Sequence, residues 1–545
     1  MSQTHNMVDY EKTYAEFKWE VPEYYNFARD VLDKWAEDPE KLAIWWVDDN
    51  DNEVKKTFAE LCRRSRQLCN VLAGQGVKKD DVVVVIMPRL LEWWEINIAC
   101  LRMGAVISPG TTQLTPKDLK YRFDSAEAVC VITDTDNAPK VDEVRSDCPT
   151  VKSFILVGGK KEGWTNYEDT VSSAVDQFET ANTKSDDNAI LYFTSGTTGY
   201  PKMTVHTHTS YPMGHMVTGK YWMDLTPNDL HWNLSDTGWA KAAWSSVFGP
   251  WNCGAALFVH HSSRFDVKKT LANLEKYPVT TLCGPPTAYR MFVLEDLSKY
   301  NFKTLRHAFA AGEPLNPEII DTWEKYTGLQ IRDGYGQTES VCLSASFLCL
   351  EVRPGSMGKP MPGFVVEVID DEGNILPRGK EGDLAVKVKP VRPVGLFKEY
   401  WRSPDKTAAS HRGDWYTTGD RAIKDEDGYL WFVGRSDDVI LASGYRIGPF
   451  EVESALLEHP AVAESAVVSS PDEVRGEVVK AFVILVPGYV GSKELVKELQ
   501  DYVKKVTAPY KYPRKIEFVD SLPKTISGKI RRIELREKEW ATIKK

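Results

Sequence analysis

Apolar segments of strand length alternate with helical segments through the first half of the chain, and this alternation constrains the fold more than any other feature. Residues 82–87 are wholly apolar, follow an amphipathic helical pattern that starts at Thr57, and precede an apolar helical segment at 93–103. Further apolar segments of strand length lie at 129–133, 153–157, 189–193, 255–259 and 280–283. Strands and helices that alternate at this spacing predict parallel sheets with crossover helices, the α/β class.

The pattern changes in the later part of the chain. From about Val365 the apolar segments become short and turn sequences become frequent, as at 370–374 and 425–428. This composition predicts an antiparallel, barrel-like section.

A second change follows Gly434 and marks a further domain. The elements predicted there are a helix at 451–458, strands at 463–469 and 478–486, and a helix capped by Ser492. Together they predict a compact α+β domain whose boundary lies near Asp437.

The length and charge of the chain exclude some classes of protein. At 545 residues the chain is too long for one core, and 42% hydrophobic with 27% charged residues is typical of a globular protein. A net charge of -10 argues against a general nucleic-acid or membrane-surface binder, and no apolar run is long enough to span a bilayer. We therefore expect neither a nucleic-acid partner nor integral membrane association.

Two features bear on the cellular compartment. The nine cysteines include no Cys-x-x-Cys pair and are typical of buried thiols in a reducing compartment. Residues 1–14 are polar and lack the apolar core of a secretory signal peptide. Both features predict a cytoplasmic protein.

Residues 192–202, YFTSGTTGYPK, have the composition of an anion-binding loop. An apolar strand leads into hydroxyl residues, glycines and then Lys202, which together offer N–H, O–H and ammonium donors to a phosphate. The Walker pattern is excluded because Gly196 and Gly199 are separated by only two residues and Lys202 does not follow a glycine. An ordinary solvated turn is the alternative. The candidate phosphate-binding residues are Thr194, Ser195, Gly196, Thr197, Thr198, Gly199 and Lys202.

Residues 333–339, DGYGQTE, combine features of a nucleotide site. Two glycines let the backbone approach a flat ligand, Tyr335 offers a ring for stacking, and Thr338 and Glu339 offer oxygen atoms to a cation bound to phosphate. A β-turn would have a similar composition without the Thr-Glu pair. The candidates are Asp333, Gly334, Tyr335, Gly336, Gln337, Thr338 and Glu339.

Three shorter motifs follow in the chain. In YTTGD, residues 416–420, the carboxylate of Asp420 can accept hydrogen bonds from both hydroxyls of a ribose, and a Gly-Arg pair ends at Arg435. Residues 435–451 are polar and rich in glycine, which suits a hinge, although a charged linker has the same composition. Residues 523–532, PKTISGKIRR, form a basic tail that by itself indicates a solvated or nucleic-acid-binding patch.

In this order the five motifs resemble those of the adenylate-forming superfamily, which comprises acyl-CoA synthetases, luciferases and the adenylation domains of peptide synthetases. The match runs from roughly Thr57 to the end, and residues 474–482 and 506–519 are most similar to medium-chain acyl-CoA synthetases. The resemblance implies a large N-terminal region, 1–436, with two α/β subdomains and a β-barrel section, and a small mobile α+β C-terminal domain, 437–545. It also implies ATP, Mg²⁺ and coenzyme A as cofactors.

The resemblance implies a role for individual residues. The loop that ends at Lys202 holds the β- and γ-phosphates, Thr338 and Lys529 contact the α-phosphate, and Glu339 binds Mg²⁺. Attack of a carboxylate on the α-phosphate is resisted electrostatically, so the ammonium of Lys529 lowers the barrier. Further implied nucleotide-binding residues are Gly312, Glu313, Pro314, Asp420 and Arg435.

The implied reaction has two halves. A carboxylate and MgATP give acyl-adenylate and pyrophosphate, and a thiol then displaces AMP. Rotation about the hinge residue Asp437 withdraws Lys529 and brings Arg446 to the active site for the second half. The positions that match the path of coenzyme A in medium-chain members are Gln113, Ser443, Gly444, Tyr445, Arg475 and Lys504. The alternative interpretation of Arg475 and Lys504 is that both are solvated surface charges.

The acyl pocket is implied by looser matches. Acetate-specific members carry a tryptophan where this chain has Gly336, so we expect a deeper pocket here. Trp239 and Trp244 resemble pocket-lining residues, but core packing is an alternative in a chain with 17 tryptophans. Lys241 lies one helical turn from Trp244, and we interpret it as a residue that narrows the acyl pocket. A pocket of this shape would accept a bulky branched or cyclic acid as well as a linear one.

The predicted function is an ATP-dependent, AMP-forming acyl-CoA synthetase for a medium-chain, branched or cyclic carboxylic acid. The main alternative passes the acyl group to the phosphopantetheine of a carrier protein, although the sequence contains no carrier domain. A luciferase-type oxygenase and a non-catalytic nucleotide-binding protein are more distant alternatives, and the intact Lys529 and Asp420 argue against the second. The family also leads us to expect a homodimer.

Overall fold

The structure is a computed structural model that describes residues 5–194, 201–313, 315–436, 438–442, 445–472, 476–525 and 529–541. Up to residue 166 the strands are β1 (Leu42–Asp48), β2 (Glu53–Thr57), β3 (Val82–Ile86), β4 (Val106–Gly110), β5 (Cys130–Asp134), β6 (Ser153–Val157) and β7 (Thr165–Asn166). The next strands are β8 (Asn188–Thr194), β9 (Lys202–Thr207), β10 (Leu230–Asn233), β11 (Ala256–His261), β12 (Thr281–Gly284), β13 (His307–Ala311), β14 (Ile331–Gly336) and β15 (Cys342–Ala345). The last strands are β16 (Lys359–Pro360), β17 (Val366–Ile369), β18 (Glu381–Lys387), β19 (Glu399–Tyr400), β20 (His411–Arg412), β21 (Trp415–Lys424), β22 (Leu430–Arg435), β23 (Ile440–Ala442), β24 (Tyr445–Ile447), β25 (Val462–Asp472), β26 (Gly476–Leu485) and β27 (Lys515–Phe518).

The helices connect and cover these strands. In the first part of the chain they are α1 (Tyr10–Glu16), α2 (Asp33–Trp35), α3 (Phe58–Gly74), α4 (Leu91–Met103), α5 (Pro116–Ala126), α6 (Ala138–Asp142), α7 (Tyr167–Ser173), α8 (His215–Val217) and α9 (Ala240–Ala243). The later helices are α10 (Gly249–Asn252), α11 (Val267–Lys276), α12 (Pro286–Phe292), α13 (Pro317–Thr327), α14 (Pro404–Ala409), α15 (Pro449–Leu457), α16 (Lys493–Val506) and α17 (Arg532–Ala541). Short π-helical turns lie at Ala28–Leu32, Thr209–Met213, Thr218–Trp222 and Trp244–Phe248, and 3₁₀ turns at Arg145–Asp147, Leu297–Lys299 and Pro509–Lys511.

One large sheet carries the strand that precedes the predicted phosphate loop. Its order is β7-β6-β5-β3-β4-β8-β9-β19, parallel from β7 to β8 and antiparallel beyond. β3, with the sequence VVVVI, is buried along its whole length, as expected for a parallel strand between layers of helices. The crossover helix α3 starts with a capping box of Thr57 and Glu60, which stabilises its first turn by ~1 kcal/mol. The α/β class predicted from the alternating pattern is confirmed.

A second large sheet has the order β2-β1-β11-β10-β12-β13-β14-β15-β16. Its strands are parallel from β1 to β14, and antiparallel strands lie at both edges. The carboxyl ends of β12, β13 and β14 therefore lie side by side. Ligands of open α/β sheets bind at this end of the strands.

The section predicted to be barrel-like is an antiparallel sheet of β17, β18, β20, β21 and β22. The antiparallel pairing is as predicted, but the described strands do not close into a barrel. β21 pairs along one edge with β18 and along the other with β20 and β22, and β17 lies outside β18. Turn sequences predict such hairpins because a hairpin is local, whereas closure depends on whether distant edges meet.

The last part of the chain forms the α+β unit that the sequence predicted. β25 and β26 form an antiparallel hairpin, and β27 adds in parallel to β26. α15 and α16 match the predicted helices, and the side chain of Ser492 accepts the hydrogen bond that caps α16 from the N–H of Leu495. A separate hairpin of β23 and β24 precedes this unit.

Two sequence-based expectations concern the whole chain. All nine cysteines are free thiols, and most of them are buried. Within the described ranges, we find no helix with the length and apolar character that a bilayer crossing requires.

Candidate active site

The predicted phosphate loop lies in the sequence between two strands that pair with each other. β8 ends at Thr194 and β9 begins at Lys202, and these two residues are directly opposite each other in the ladder. The predicted loop residues between them, Ser195, Gly196, Thr197, Thr198 and Gly199, lie outside the described residues. The ammonium of Lys202 lies 4.9 Å from the centre of the Tyr400 ring.

The glycines of DGYGQTE are required by packing inside the protein. A Cβ atom at Gly334 would lie 2.4 Å from the Trp222 ring, and one at Gly336 would lie 2.5 Å from the carbonyl oxygen of Val341. The sequence explained both glycines by close approach of a ligand. At Gly336 the neighbouring strand β15 excludes any side chain, so a tryptophan cannot be accommodated there without a shift of the backbone.

The second and third motifs meet at Asp420. The buried carboxylate of Asp420 on β21 accepts hydrogen bonds from the Tyr335 hydroxyl at 2.5 Å and from Gln337 Nε2 at 2.9 Å. Arg435 Nε lies 3.3 Å from its other oxygen. Burial raises the pKa of Asp420, and the positive charge of Arg435 opposes that shift. A carboxylate only accepts hydrogen bonds, so this corner can bind a hydroxyl-bearing ligand such as a ribose.

Thr338 and Glu339 are each held by a residue that the sequence analysis missed. His206 Nε2 donates a hydrogen bond to the backbone oxygen of Thr338 at 2.7 Å, and the Tyr400 hydroxyl donates to Glu339 Oε1 at 2.9 Å. The sequence contains a signal for His206. Side chains alternate between the two faces of a strand, so His206 lies on the same face of β9 as Lys202, a predicted phosphate-binding residue. No local signal identifies Tyr400, since its strand β19 joins the sheet from far along the chain.

The donor set around Glu339 fits a divalent cation that is shared with a nucleotide. In the part of the chain that the structure describes, no cluster of three or more His, Cys, Asp or Glu side chains could hold a metal by itself. Mg²⁺ is usually bound by one or two carboxylates together with substrate phosphates and water. Glu339 can supply the carboxylate, and the phosphates must come from the ligand.

Gly312 has open space beside its backbone. It follows β13 with a φ of +101°, a conformation that favours glycine, and a Cβ atom there would have no heavy atom within 4 Å. Its neighbour Glu313 forms an ion pair with Arg290 at 2.8 Å. The predicted residue Pro314 lies outside the described residues.

Lys529 reaches this site from the last part of the chain. Its N–H donates to Thr525 Oγ1 at 3.1 Å and its carbonyl accepts from the Thr525 N–H at 2.7 Å, which closes a short turn. The side chain is exposed, and its positive charge has a minor influence on the pKa of Lys241, which burial lowers, and on that of Asp420, which burial raises. The charge of Lys529 therefore acts on the same part of the protein as Asp420 and Lys241.

The predicted acyl-pocket residues lie beside the ends of β12 and β13. Burial lowers the pKa of Lys241, and its Nζ donates to the carbonyl oxygens of Gly284 at 3.1 Å and Ala311 at 2.9 Å. These two hydrogen bonds fix the ammonium of Lys241 at the carboxyl ends of β12 and β13. Trp239 is half-buried immediately before α9.

Trp244 is half-buried and packs between two buried rings. Its ring stacks on that of His215, with 5.9 Å between the ring centres and an interplanar angle of 19°. The centre of the Trp222 ring lies 5.8 Å away, at an interplanar angle of 39°. This packing makes Trp244 a rigid surface at the strand ends.

The residues predicted to contact coenzyme A are only partly described. Gln113 is exposed on the loop after β4, and Lys504 on α16 forms an ion pair with Asp501 at 2.9 Å. No contact joins Gln113 and Lys504 among the described residues. Tyr445 and Arg446 form part of the backbone of β24, and their side chains lie outside the described part of the chain. Ser443, Gly444, Arg475 and the predicted hinge Asp437 also lie outside it.

Comparison with known families identifies two regions of the chain. The AMP-binding enzyme family matches residues 32–401, and the AMP-binding enzyme C-terminal domain matches residues 451–529. Acyl-coenzyme A synthetase ACSM3, mitochondrial, of Rattus norvegicus is 54% identical over 98% of this chain and 94% of its own length. Acyl-coenzyme A synthetase ACSM4, mitochondrial, of Homo sapiens is 51% identical over 95% of this chain and 91% of its own length.

Solved structures of CoA ligases also superimpose on this chain. The anthranilate CoA ligase AuaEII in complex with anthranoyl-AMP superimposes with a TM-score of 0.88 at 30% identity, covering 96% of this chain and 99% of that chain. A benzoate CoA ligase from Burkholderia xenovorans LB400 superimposes with a TM-score of 0.83 at 28% identity, covering 94% of this chain and 100% of that chain.

The names of the relatives correct one expectation. The prediction of a cytoplasmic protein is wrong, because the curated relatives with which this chain shares more than half of its residues are named as mitochondrial. The polar amino terminus argued only against a secretory signal peptide. Mitochondrial targeting segments are themselves polar and amphipathic, so that observation did not distinguish the two compartments.

Proposed function

This chain belongs to the AMP-binding enzyme family as an AMP-forming acyl-CoA synthetase, and we propose that its acid is medium-chain, branched or cyclic. The enzyme uses ATP, Mg²⁺ and coenzyme A. One observation carries the proposal for the site. Tyr335 and Gln337 donate hydrogen bonds to the buried carboxylate of Asp420, which joins the second and third motifs in one polar corner.

We assign the nucleotide to this corner. Asp420 would accept hydrogen bonds from the ribose, with Arg435 beside it and with Tyr335 as the stacking surface. The backbone from Gly312 to Glu313 and the residues of DGYGQTE would line the adenylate. This assignment is supported by the open space at Gly312 and by the acceptor-only chemistry of a carboxylate.

The phosphates would extend from the corner toward β9. Thr338 would hold the α-phosphate, and the loop from Thr194 to Lys202 would hold the two phosphates that leave. Mg²⁺, when bound at Glu339, neutralises charge on the phosphates. Lys529 would stabilise the negative charge that develops when the acid attacks, because an ammonium placed beside that charge lowers the energy of the transition state.

The second half-reaction requires different residues at the active site. We propose that the chain divides into a large domain, 1–436, and a small domain, 437–545, which rotates about Asp437 to exchange Lys529 for Arg446 at the active site. Coenzyme A would then enter along Gln113 and the residues after the hinge, which are Ser443, Gly444, Tyr445, Arg475 and Lys504. A homodimer in mitochondria is proposed from the family and from the names of the relatives.

The acyl pocket would lie at the ends of β12 and β13. Trp239 and Trp244 would form its walls and Lys241 would limit its depth, which is supported by the two carbonyl contacts that fix the ammonium. Gly336, at the end of β14, would lie at the edge of the pocket. This shape is the reason to test branched and cyclic acids beside linear ones.

The test measures release of AMP with a panel of carboxylic acids, with and without coenzyme A. We expect full turnover only with coenzyme A, and loss of pyrophosphate exchange in Lys529→Ala but not in the control Lys538→Ala, whose side chain is exposed on α17. Full turnover without coenzyme A would contradict the proposal. Turnover that requires a phosphopantetheine carrier protein in place of coenzyme A would support the alternative function.

A further inference from the structure

A two-pronged ion pair between Arg532 and Glu453 lies close to Lys529 in the chain. Arg532 Nε donates to Glu453 Oε1 at 2.9 Å and Arg532 Nη2 donates to Glu453 Oε2 at 2.6 Å. Glu453 on α15 is only 4% exposed, and its Oε1 also accepts the N–H of Val467 at 2.8 Å. An arginine paired in this way with a carboxylate has a fixed orientation as well as a strong attraction.

The position of this pair in the chain relates it to Lys529. Lys529 ends a turn that starts at Thr525, and a bridge between Lys524 and Ile530 closes the base of that turn. Two residues after the bridge, Arg532 begins α17. Arg532 therefore lies three residues from Lys529, and its anchor restrains the backbone that follows the bridge.

Helix α15, which carries Glu453, also contacts the large part of the protein. Asn316 Nδ2 donates to Ser454 Oγ on α15 at 3.5 Å, and Asn316 immediately precedes α13. The helix that anchors Arg532 therefore also contacts an element that follows Gly312.

From this geometry we propose that Arg532 is a positioning residue for adenylation, which holds the turn of Lys529 through Glu453 without touching the substrate. The inference rests on the proposed role of Lys529. A charge that stabilises a transition state must be placed to within a fraction of an ångström, because a displacement of ~1 Å costs about 100-fold in rate. Since Lys529 is needed only to form the adenylate, a misplaced turn should slow the first half-reaction and leave the second unaffected.

The experiment measures the two half-reactions separately in the full-length enzyme. ATP–pyrophosphate exchange reports adenylation, and formation of acyl-CoA from supplied acyl-adenylate and coenzyme A reports the second step. In Arg532→Lys, which keeps the charge but loses the two-pronged geometry, we expect kcat for exchange to fall about 10- to 100-fold with little change in KM for ATP. Formation of acyl-CoA from supplied adenylate is expected to stay within about twofold of the wild type, because that step does not use Lys529.

The control is Arg531→Ala. Arg531 is the adjacent arginine, but its side chain is 52% exposed and forms an ion pair with Glu534 on α17, at 3.0 Å. We expect both half-reactions to be unchanged in this variant. Arg532→Ala should show the same split as Arg532→Lys, with a larger loss of exchange.

Two outcomes would overturn the inference. One is an equal loss of both half-reactions in Arg532→Lys, which is what a purely structural ion pair would produce. The other is unchanged exchange in Arg532→Lys and Arg532→Ala while Lys529→Ala has lost it. Full exchange in Lys529→Ala would instead refute the proposed role of that lysine, so failure of the inference and failure of the proposed function are distinguishable.

Discussion

His206 Nε2 donates a hydrogen bond of 2.7 Å to the backbone oxygen of Thr338, which joins the strand after the phosphate loop to the DGYGQTE segment. Burial lowers the pKa of His206 to about 3, so the ring is neutral, and the proton that it donates is on Nε2. Its other nitrogen lies 3.0 Å from Ser210 Oγ. Both ring nitrogens therefore have defined partners, and the ring has one orientation.

We expect His206→Ala to lower kcat for ATP–pyrophosphate exchange by about 10- to 100-fold, because Thr338 would lose its support. The carbonyl left without a donor should also reduce the free energy of unfolding by ~1–3 kcal/mol. The matched control is His208→Leu, since His208 is equally buried and neither of its ring nitrogens has a hydrogen-bond partner in the part of the chain that the structure describes. Equal effects of the two substitutions on exchange would contradict this prediction.

Tyr400→Phe tests the contact with the proposed metal ligand. The phenyl ring would remain beneath Lys202, while Glu339 would lose the hydroxyl that donates to it at 2.9 Å. Groups that orient a metal ligand typically change metal affinity by about 10- to 100-fold, so the Mg²⁺ concentration for half-maximal exchange should rise by that factor. An Mg²⁺ titration at fixed ATP measures it, and an unchanged midpoint would show that Tyr400 does not support the metal site.

Asp333→Asn should change how stability depends on pH. Burial raises the pKa of Asp333 to about 8, whereas an unfolded chain has the ordinary value near 3.8. The native state therefore binds this proton more tightly than the unfolded state, and the stability that the protonated group contributes is lost as pH rises from about 4 to 8. Asparagine does not ionise and can still accept the bond from the Gly334 N–H.

The melting temperature of Asp333→Asn should therefore exceed that of the wild type by more at pH 8.5 than at pH 5.5. Each kcal/mol gained corresponds to roughly 2–4 °C for a domain of ~200 residues. Thermal denaturation without ligands at both pH values measures the difference, with the exposed Asp176→Asn as control. A gap that is constant with pH would mean that Asp333 ionises normally in the folded protein.

Lys241→Ala should alter the choice of acid. The substitution removes the ammonium that is held between the carbonyls of Gly284 and Ala311 and leaves space at the ends of β12 and β13. We expect kcat/KM for longer linear acids to rise relative to that for short branched acids. A panel of both kinds of acid measures the ratio, with the exposed Lys220→Ala as control. Identical profiles in wild type and Lys241→Ala would exclude Lys241 from the acyl pocket.

The amino-acid sequence by itself determined the elements and motifs of this protein. Apolar periodicity located β3, β8 and β12, the cap at Ser492 located α16, and the motifs identified the family and the cleft that contains Asp420. These features were predictable because they depend on residues that are close together in the chain.

Tertiary structure alone decided how the motif residues are supported. The hydrogen bonds from His206 to Thr338, from Tyr400 to Glu339 and from Arg532 to Glu453 join residues 132, 61 and 79 positions apart. No local pattern encodes such pairs, because they form only when separate sheets and helices pack against each other. The open edges of the antiparallel sheet, where the sequence predicted a barrel-like section, have the same origin: hairpins are local, but the meeting of two distant strands is not.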